Sequence, residues 1–364
     1  MKTDENPIIQ EPVEEPVAAP RSGLPKEEVL ALLRERVMNA GHPTVKQEYG
    51  TPQPGVKTGL DEAFIIDRAT YEALIKSDPK SEAILKPFAQ ASAIDRWRAE
   101  PQETWLINTV PGAVNIEDYP AIRDYLKPFH DRLQKRGGGR QWFELEQAEH
   151  LEPKSVADLK LVYRESVNWP GGFTLDQSGT YYASSGYHLR NGDYYIAGLL
   201  NSKFYWFLLN ELSPANKEGA IQVRPEHLEA LPVPRMVDVE LLSMVGMFSD
   251  YCHRIVEERQ AFYSDVLQEI AKHLTPGRTT SELSATLQNW HMLTVNALRE
   301  ESKRLYDKDL AEDAIPMWSS FLDDAKYQLN KINTDVTDAE RKLNMTVYTM
   351  FELTEEELEY LDKL

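Results

Sequence analysis

The chain has 364 residues, with 59 Asp and Glu against 40 Lys and Arg, which gives a formal net charge of -19. Hydrophobic residues make up 41% of the sequence, which is enough to build a packed core, so a globally disordered chain is excluded. The single cysteine excludes a disulfide framework, and no run of ~18 apolar residues is present to cross a membrane. We therefore expect a cytoplasmic protein without a membrane partner.

The N-terminal segment is predicted to lie outside any domain. Residues 1–24 combine several prolines with glutamate and alanine, a composition that predicts a disordered leader. Residues 25–56 begin with an amphipathic helix pattern that starts at Pro25 and ends at Gly41. The rest of this segment is rich in proline and is predicted to be an extended linker.

Residues 57–235 alternate between short strand and short helix patterns. Strands are predicted at Asp61–Asp67 and Thr104–Val110, and a helix at Tyr119–Arg136, where apolar residues recur on one face before a triple glycine. The run Asp193–Leu212 is predicted to change from a strand to a helix. This mixture indicates an α+β domain of mixed α/β character.

Residues 236–364 carry long amphipathic helix patterns and are predicted to form a mainly helical C-terminal module. They contain 13 Lys and Arg against 25 Asp and Glu, so most of the excess negative charge lies here. Long acidic helices with apolar stripes usually pack on each other or on a partner protein. This module is therefore expected to act as a spacer or a docking element.

The overall acidity argues against a polyanionic partner, because affinity for phosphate backbones comes mainly from Lys and Arg. Residues 57–140, however, are neutral, with 13 basic and 13 acidic side chains. Charges farther away than a Debye length of about 8 Å are largely screened, so a local basic stripe can still bind phosphates. Such a stripe is formed late in this segment by Arg123, Lys127, Arg132, Lys135, Arg136 and Arg140.

Sequence patterns for catalysis and metal binding are missing. The Asn/Asp-Pro-Pro-aromatic turn of an amino-group methyltransferase does not occur, and no Glu-x-Lys lies on a strand pattern adjacent to Asp78-Pro79, as a Mg²⁺-dependent nuclease would need. The histidines lack metal-site spacing. Cys252 lies in a helix pattern beside His253 and is interpreted as a buried structural residue. No catalytic residue, metal site or cofactor is expected in this chain.

Several short sequence motifs resemble those of a known family and occur in the same order as in that family. They include GLDEAFIID, KPF, DRWR, WLI, YPAIRDYLKPFHDRLQKR, QWFEL, KLVYRES, LNSKFYWFLL and LPVP. Together they resemble the TaqI-like C-terminal specificity domain, the target recognition domain of type IIG restriction-modification enzymes and related adenine-specific methyltransferases. The resemblance spans about Lys57 to Arg235, and the tail from Val347 to Leu364 is similar to the end of those enzymes.

The resemblance implies a DNA sequence-recognition (specificity) protein of a restriction-modification or phage-defence system. In the family, nuclease and methyltransferase modules precede this domain, and their motifs are missing here. The chain is therefore expected to be a non-enzymatic subunit or fragment that directs a separate adenine-specific methyltransferase or nuclease on double-stranded DNA. S-adenosylmethionine and Mg²⁺ are expected only on that partner.

Two other functions stay open. In the first alternative, the chain is an acidic helical scaffold or inhibitor that binds the catalytic proteins of a defence system. In the second, it is an autonomous methyltransferase or nuclease, and the missing motifs disfavour this second alternative.

Candidate DNA contacts come from cations and amides in the resembling region. Arg96 and Arg98 flank Trp97 and would contact phosphate or guanine, with solvated surface charges as the alternative. Asn201 is interpreted as a structural helix cap together with Ser202. Tyrosines in strands, at 181, 182, 187, 194 and 195, are predicted to be core residues. The full set of candidates is Arg96, Arg98, Lys135, Arg136, Arg140, Arg164, Asn168, Arg190 and Lys203.

Overall fold

A computed structural model describes residues 22–136, 140–148, 158–168, 171–213, 215–217, 219–235, 238–275 and 277–363. Within these ranges short strands and helices make up the first two thirds of the chain, and long helices follow. The predicted α+β fold class with a helical C-terminal region is confirmed. Nearly all of the predicted leader, the triple glycine at 137–139, and Trp169 and Pro170 lie outside the described residues.

The described α-helices are α1 (Lys26–Met38), α2 (Val45–Tyr49), α3 (Asp61–Phe64), α4 (Arg68–Ser77), α5 (Pro120–Leu126), α6 (His130–Gln134), α7 (Tyr194–Leu200), α8 (Lys203–Leu212), α9 (Pro225–Glu229), α10 (Val239–Leu274), α11 (Ala285–Gln288), α12 (Val295–Tyr306), α13 (Ile315–Met350) and α14 (Glu355–Leu361). A single 3₁₀ turn at Lys127–Phe129 separates α5 from α6. Pro128 explains this break, because proline has no N–H to continue the α-helical hydrogen bonds.

The described strands are β1 (Gln53–Pro54), β2 (Ile65–Asp67), β3 (Leu85–Ala89), β4 (Ile94–Asp95), β5 (Arg98–Ala99), β6 (Thr104–Ile107), β7 (Lys160–Arg164), β8 (Ser166–Val167), β9 (Phe173–Asp176), β10 (Tyr181–Tyr182), β11 (Gly186–Arg190) and β12 (Ile221–Gln222). The first sheet has the order β1-β11-β7-β9 and is antiparallel. The second has the order β10-β3-β6-β2, with β10 parallel to β3. The remaining strands form the pairs β12-β8 and β4-β5.

The main hydrophobic core joins the first sheet to the long helices. Leu161 and Phe173 from the sheet, Phe204 from α8, Val245 from α10 and Val347 from α13 are all buried in it. The core therefore continues from the mixed segment into the near halves of α10 and α13. Because each buried leucine or phenylalanine contributes about 1.5–3 kcal/mol, this shared core holds the helical pair firmly on the sheet.

A second core lies under the β10-β3-β6-β2 sheet, where Phe64, Leu106 and Leu126 are fully buried. A third core fills the far end of the helical region, between α10, α12 and α13, around the buried Trp290 and Leu298. The separate third core shows that the far end is a helical packing unit of its own, at a distance from both sheets.

Several local predictions from the sequence were wrong. The segment Tyr194–Leu200 is a helix, since Asp193 caps it by accepting a hydrogen bond from the N–H of Ile196. Asp61–Phe64 is a helical turn that leads into β2. The predicted linker contains α2, which has a capping box at Thr44, and β1. In each case a side-chain cap or a tertiary contact decides against the simple strand or linker pattern.

A node of polar contacts joins the β4-β5 turn to the long helices. Trp97 adopts a φ of 66°, which is strained for a bulky residue. Its Nε1–H donates to Glu340 Oε1 at 2.7 Å, and the guanidinium of Arg96 lies 3.1 Å from the same carboxylate. Arg96 also donates to the carbonyl of Asn201 at 2.8 Å. Gly171 packs so closely that a Cβ there would lie 2.6 Å from Arg96 Cδ.

His253 connects α10 to the edge strand β9. Its Nε2 accepts a hydrogen bond from the N–H of Leu175 at 3.2 Å, while Nδ1 donates to the carbonyl of Ser249 at 2.8 Å. Burial lowers the pKa of His253, so the ring is neutral at neutral pH. Both ring nitrogens would be donors after protonation, and the contact with Leu175 would be lost.

This contact predicts a pH dependence of stability. Between the lowered folded pKa and the ordinary value of about 6.5, the unfolded chain binds more protons, so stability falls as the pH drops through this range. From pH 7.5 to 5.5 the wild type should lose up to about 1.4 kcal/mol more than H253Q, whose side chain carries no titrating group. Urea denaturation at both pH values measures this difference, and identical losses in the two proteins would contradict the assignment.

Candidate nucleic-acid interface

Arg136, just after α6, organises a surface that carries several basic residues. Its guanidinium donates to the carbonyl oxygens of Thr58 at 2.6 Å, Trp142 at 2.9 Å and Glu144 at 2.8 Å. It also packs against Gly59, which has a left-handed φ of 76° that other residues rarely adopt. The side chains around Gly59 are so close that they leave no room for a Cβ. Arg136 therefore fixes two loop segments by hydrogen bonds, one at Thr58 and one at Trp142 to Glu144, and little of its charge is available to a ligand.

Two cations beside it, Lys135 and Arg140, are exposed. Neither has a hydrogen-bond or ion-pair partner within the described part of the chain. The charge of Arg140 is close enough to contribute to a lowered pKa of Arg136, although burial is the larger cause. We call the surface formed by Lys57, Arg132, Lys135, Arg136 and Arg140 the basic rim. Its outer members pair with carboxylates on the surface, Lys57 with Glu146 and Arg132 with Glu62.

A polar groove of about 460 Å³ runs alongside the basic rim. Its floor and walls include the loop 57–62, Gln90 of the β3–β4 connection, and Ser184 and Ser185 of the β10–β11 connection. Hydroxyl, amide and main-chain groups of this kind hydrogen-bond to phosphates and to base edges. The rim and the groove together form the candidate interface.

Arg96 and Arg98 lie away from this surface. Arg96 is used inside the fold, between Glu340 and the carbonyl of Asn201, as described above. Arg98 has a side chain that is 16% exposed and an ion pair with Glu257 at 3.4 Å. These partly buried, ion-paired positions do not match the alternative of solvated surface charges. Their contact with DNA stays a prediction without support from their present partners.

The other predicted residues are spread over the first sheet and α8. Arg164 and Arg190 lie at opposite ends of the paired strands β7 and β11, since Arg190 is opposite Lys160 and Arg164 is opposite Gly186. Asn168, just after β8, is exposed. Lys203 lies in the first turn of α8 and pairs with Asp362 at 3.2 Å. The structure does not bring these residues together with the basic rim, and their role stays a prediction.

Some predictions for side chains around these sites can be decided. Ser202 caps α8, because its side chain accepts a hydrogen bond from the N–H of Tyr205. The side chain of Asn201 instead accepts a hydrogen bond from the N–H of Phe173 and donates one to the carbonyl of the same residue. The predicted capping role of Asn201 was therefore wrong, whereas its predicted structural role is confirmed. Tyr195 is buried as predicted, but it lies in α7, and Tyr194 of the same helix is 37% exposed.

Cys252 is buried as predicted. Burial is the main reason that its pKa rises to about 12, so a thiolate nucleophile is not formed there.

The sequence did not single out Lys57, Gln90, Ser184 or Ser185, which line or flank the groove. The only feature that these four residues share is that each lies at a turn next to a short strand. In the described residues no His, Cys, Asp and Glu side chains are grouped as a metal site would require. Among the described helices, none has the length and apolar character of a membrane-spanning segment.

Comparison with solved structures gives low similarity. The structure of a type IIL restriction-modification enzyme, MmeI, in complex with DNA is 13% identical, with a TM-score of 0.43, and the match covers 77% of this chain and 36% of that one. The type IIG restriction endonuclease BpuSI is 10% identical, with a TM-score of 0.41, covering 90% and 33%. The chain thus spans about a third of the length of these enzymes. Likeness at this level supports no functional argument.

Comparison with family models is more informative. No curated protein matches the chain. Residues 243–347 match a domain of unknown function (DUF8810), which covers most of α10 to α13. Residues 114–233 match the TaqI-like C-terminal specificity domain, a segment that contains α5 to α9 and the basic residues Arg132, Lys135, Arg136 and Arg140. The resemblance predicted from the sequence is therefore confirmed, and its matched segment begins later than the predicted start at Lys57.

Proposed function

We propose that this chain recognises a DNA sequence for a restriction-modification system and directs a separate adenine-specific methyltransferase or nuclease. The observation that carries the proposal is the match of residues 114–233 to a specificity domain. Lys135 and Arg140, the exposed cations of the basic rim that have no carboxylate partner among the described residues, lie within this matched segment. In this account the chain performs no catalysis, and any S-adenosylmethionine or Mg²⁺ is bound by the partner.

The basic rim and the groove have different tasks in this proposal. Lys135 and Arg140 meet phosphates, which fixes the register of the duplex, because an uncommitted cation releases counterions when it binds the backbone. Gln90, Ser184 and Ser185 line the groove, where amide and hydroxyl groups can pair with base edges. The helical C-terminal region, residues 236–364, carries most of the chain's excess negative charge and faces protein or water.

A double substitution tests the phosphate contacts. K135A with R140A should weaken binding to every duplex and should reduce the slope of log affinity against log salt by about 2, one unit for each lost contact. Electrophoretic shift assays between about 50 and 200 mM salt measure both effects. The variant K272A with K331A removes the same charge from exposed positions outside the matched segment and should bind like the wild type. If both variants bind alike, the basic rim is not the phosphate contact.

A second candidate function is an acidic scaffold or inhibitor that binds the catalytic proteins of a defence system. It is favoured by the 25 acidic against 13 basic residues in 236–364. A charge swap in the tail tests it, but Glu357 must be left intact, because it is buried, pairs with Arg36 and belongs to the capping box at Thr354. Replacement of the exposed Glu355 by Lys leaves the fold in place. Unchanged assembly with a catalytic partner would exclude this part of the tail as the docking site.

A further inference from the structure

An open cavity of about 640 Å³ lies between the edge strand β9 and helix α10. This volume falls within the range of about 300–1,000 Å³ that is typical of ligand pockets. The cavity is more than 10 residues away in sequence from every member of the basic rim, and its lining shares no residue with the groove described above. We call it the β9–α10 cavity.

The charges around the β9–α10 cavity favour a cation. Four carboxylates line it against two guanidinium groups, from Arg98 and Arg254. Each of these arginines already has a carboxylate, since Arg98 pairs with Glu257 and Arg254 with Asp250. Glu100 and Glu258 are exposed at the cavity and have no ion-pair partner in the described ranges. A phosphate-bearing ligand would be repelled, whereas a guanidinium or ammonium group would find two carboxylates that are unpaired among the described residues.

The walls of the β9–α10 cavity are aromatic. Trp97, Tyr182, Tyr194 and His253 line it. Aromatic faces attract a cation placed over the ring, and they also pack well against an aliphatic stem. His253 adds no positive charge at neutral pH, because its burial lowers its pKa and both of its ring nitrogens are hydrogen-bonded inside the fold.

A buried hydroxyl provides an independent indication of a ligand. Thr174 on β9 lines the cavity and is fully buried. Its Oγ1 has no hydrogen-bond partner in the described part of the chain. A buried polar group without a partner costs about 1–3 kcal/mol, so a ligand that donates a hydrogen bond to Thr174 would remove this penalty.

We propose that the β9–α10 cavity receives an arginine side chain from a protein partner. The guanidinium group lies between Glu100 and Glu258, its stem packs on Tyr194 and Trp97, and one N–H donates to Thr174. This inference names a contact for the separate protein partner and so rests on the proposed function. An arginine suits the site better than a lysine, because a planar group with five N–H donors can satisfy two carboxylates and a hydroxyl together.

Isothermal titration calorimetry with the full chain tests this contact. The probe is the peptide acetyl-Gly-Arg-Gly amide, and its control is the citrulline peptide, which keeps the shape and loses the charge. The arginine peptide should bind at least about tenfold more tightly. Equal binding of the two peptides, or no binding of either, would overturn the proposal. Spermidine that binds more tightly than the arginine peptide would overturn the protein partner in favour of a free polyamine.

Substitutions in the cavity lining test whether the arginine peptide binds in the β9–α10 cavity. E100Q with E258Q should weaken the arginine peptide about tenfold, whereas D323N with D324N, which removes the same charge from exposed positions on α13, should leave it unchanged. T174V should weaken the peptide about threefold without lowering the melting temperature, because it replaces an unpartnered hydroxyl by a methyl group of the same shape. Unchanged affinity in both cavity variants would place the peptide elsewhere and contradict the proposal.

The same preparations are then tested for duplex binding, which separates this inference from the proposed function. Peptide binding that is about tenfold weaker in E100Q with E258Q, together with full retention of DNA binding, is the expected result. If the wild type binds DNA and no peptide, only the cavity assignment fails. If it binds the peptide and no DNA, the DNA-recognition function fails and the contact with a protein stands.

Discussion

The substitution D176A should lower the free energy of unfolding by about 3–5 kcal/mol. Asp176 accepts a hydrogen bond from Lys160 Nζ at 2.6 Å, and the two side chains are only 7% and 3% exposed. It also accepts from the N–H and the hydroxyl of Ser178 and from the hydroxyl of Tyr182. Alanine at this position would leave a buried ammonium group without its carboxylate. Urea denaturation at pH 7 measures the loss.

The pH dependence of this loss gives a sharper test. Burial is the main cause of a lowered pKa of Lys160, in opposition to the charge of Asp176. Without Asp176 the folded pKa should fall further, so the unfolded chain binds more protons than the folded chain over a wider range and stability rises with pH. The loss in D176A should therefore be smaller at pH 10 than at pH 7. The exposed D323A serves as the control and should stay within about 0.5 kcal/mol of the wild type.

The substitution E340A should lower the free energy of unfolding by about 3 kcal/mol. Glu340 is the acceptor for the indole N–H of Trp97 and the counter-ion of Arg96, whose side chain is 21% exposed. Alanine would leave the guanidinium group of Arg96 without its counter-ion and the buried indole N–H of Trp97 without an acceptor. E340Q keeps an acceptor for Trp97 and loses only the charge, so its loss should be about half as large.

A control on the same helix separates this effect from a general effect of charge. Asp338 pairs with Arg341 at 3.4 Å on the exposed face of α13, with side chains 53% and 66% exposed. Such a surface pair contributes about 0–1 kcal/mol, so D338N should unfold almost like the wild type. Equal losses in E340A and D338N would show that the node at Trp97 does not stabilise the contact between the sheet and α13.

The sequence predicted those parts of the fold that depend on local periodicity. The long apolar stripe of α10 and the run that forms α5 and α6 stand out because one face repeats every three or four residues. The sequence predicts a strand only at the start of Asp193–Leu212, because two adjacent tyrosines favour a strand. The structure has a helix there, and the decisive contact is the cap by Asp193. In such short segments, helix capping and tertiary contacts outweigh the intrinsic strand propensity of the residues.

The candidate site could be predicted only in part. Lys135 and Arg140 follow a clear helix pattern, and their exposure agrees with a binding surface. Arg96 has the same chemistry in the sequence, but its partner Glu340 lies on a helix more than 200 residues later, which no local pattern reveals. Lys57 was missed because its place in the basic rim depends on how a loop crosses the end of α6. The sequence shows directly which residues are charged, but the burial of a charged side chain depends on residues that are far away in the chain.

Selection of bound duplexes from a random pool tests the central claim most directly. The purified chain, at about 50–100 mM salt, should enrich one short sequence over successive rounds, because base-edge contacts add discrimination to the uniform attraction of the backbone. K135A with R140A should recover the same sequence with weaker binding, since phosphate contacts carry no sequence information. The account predicts a single enriched motif. Binding without enrichment, or no binding with or without an added methyltransferase partner, would contradict it.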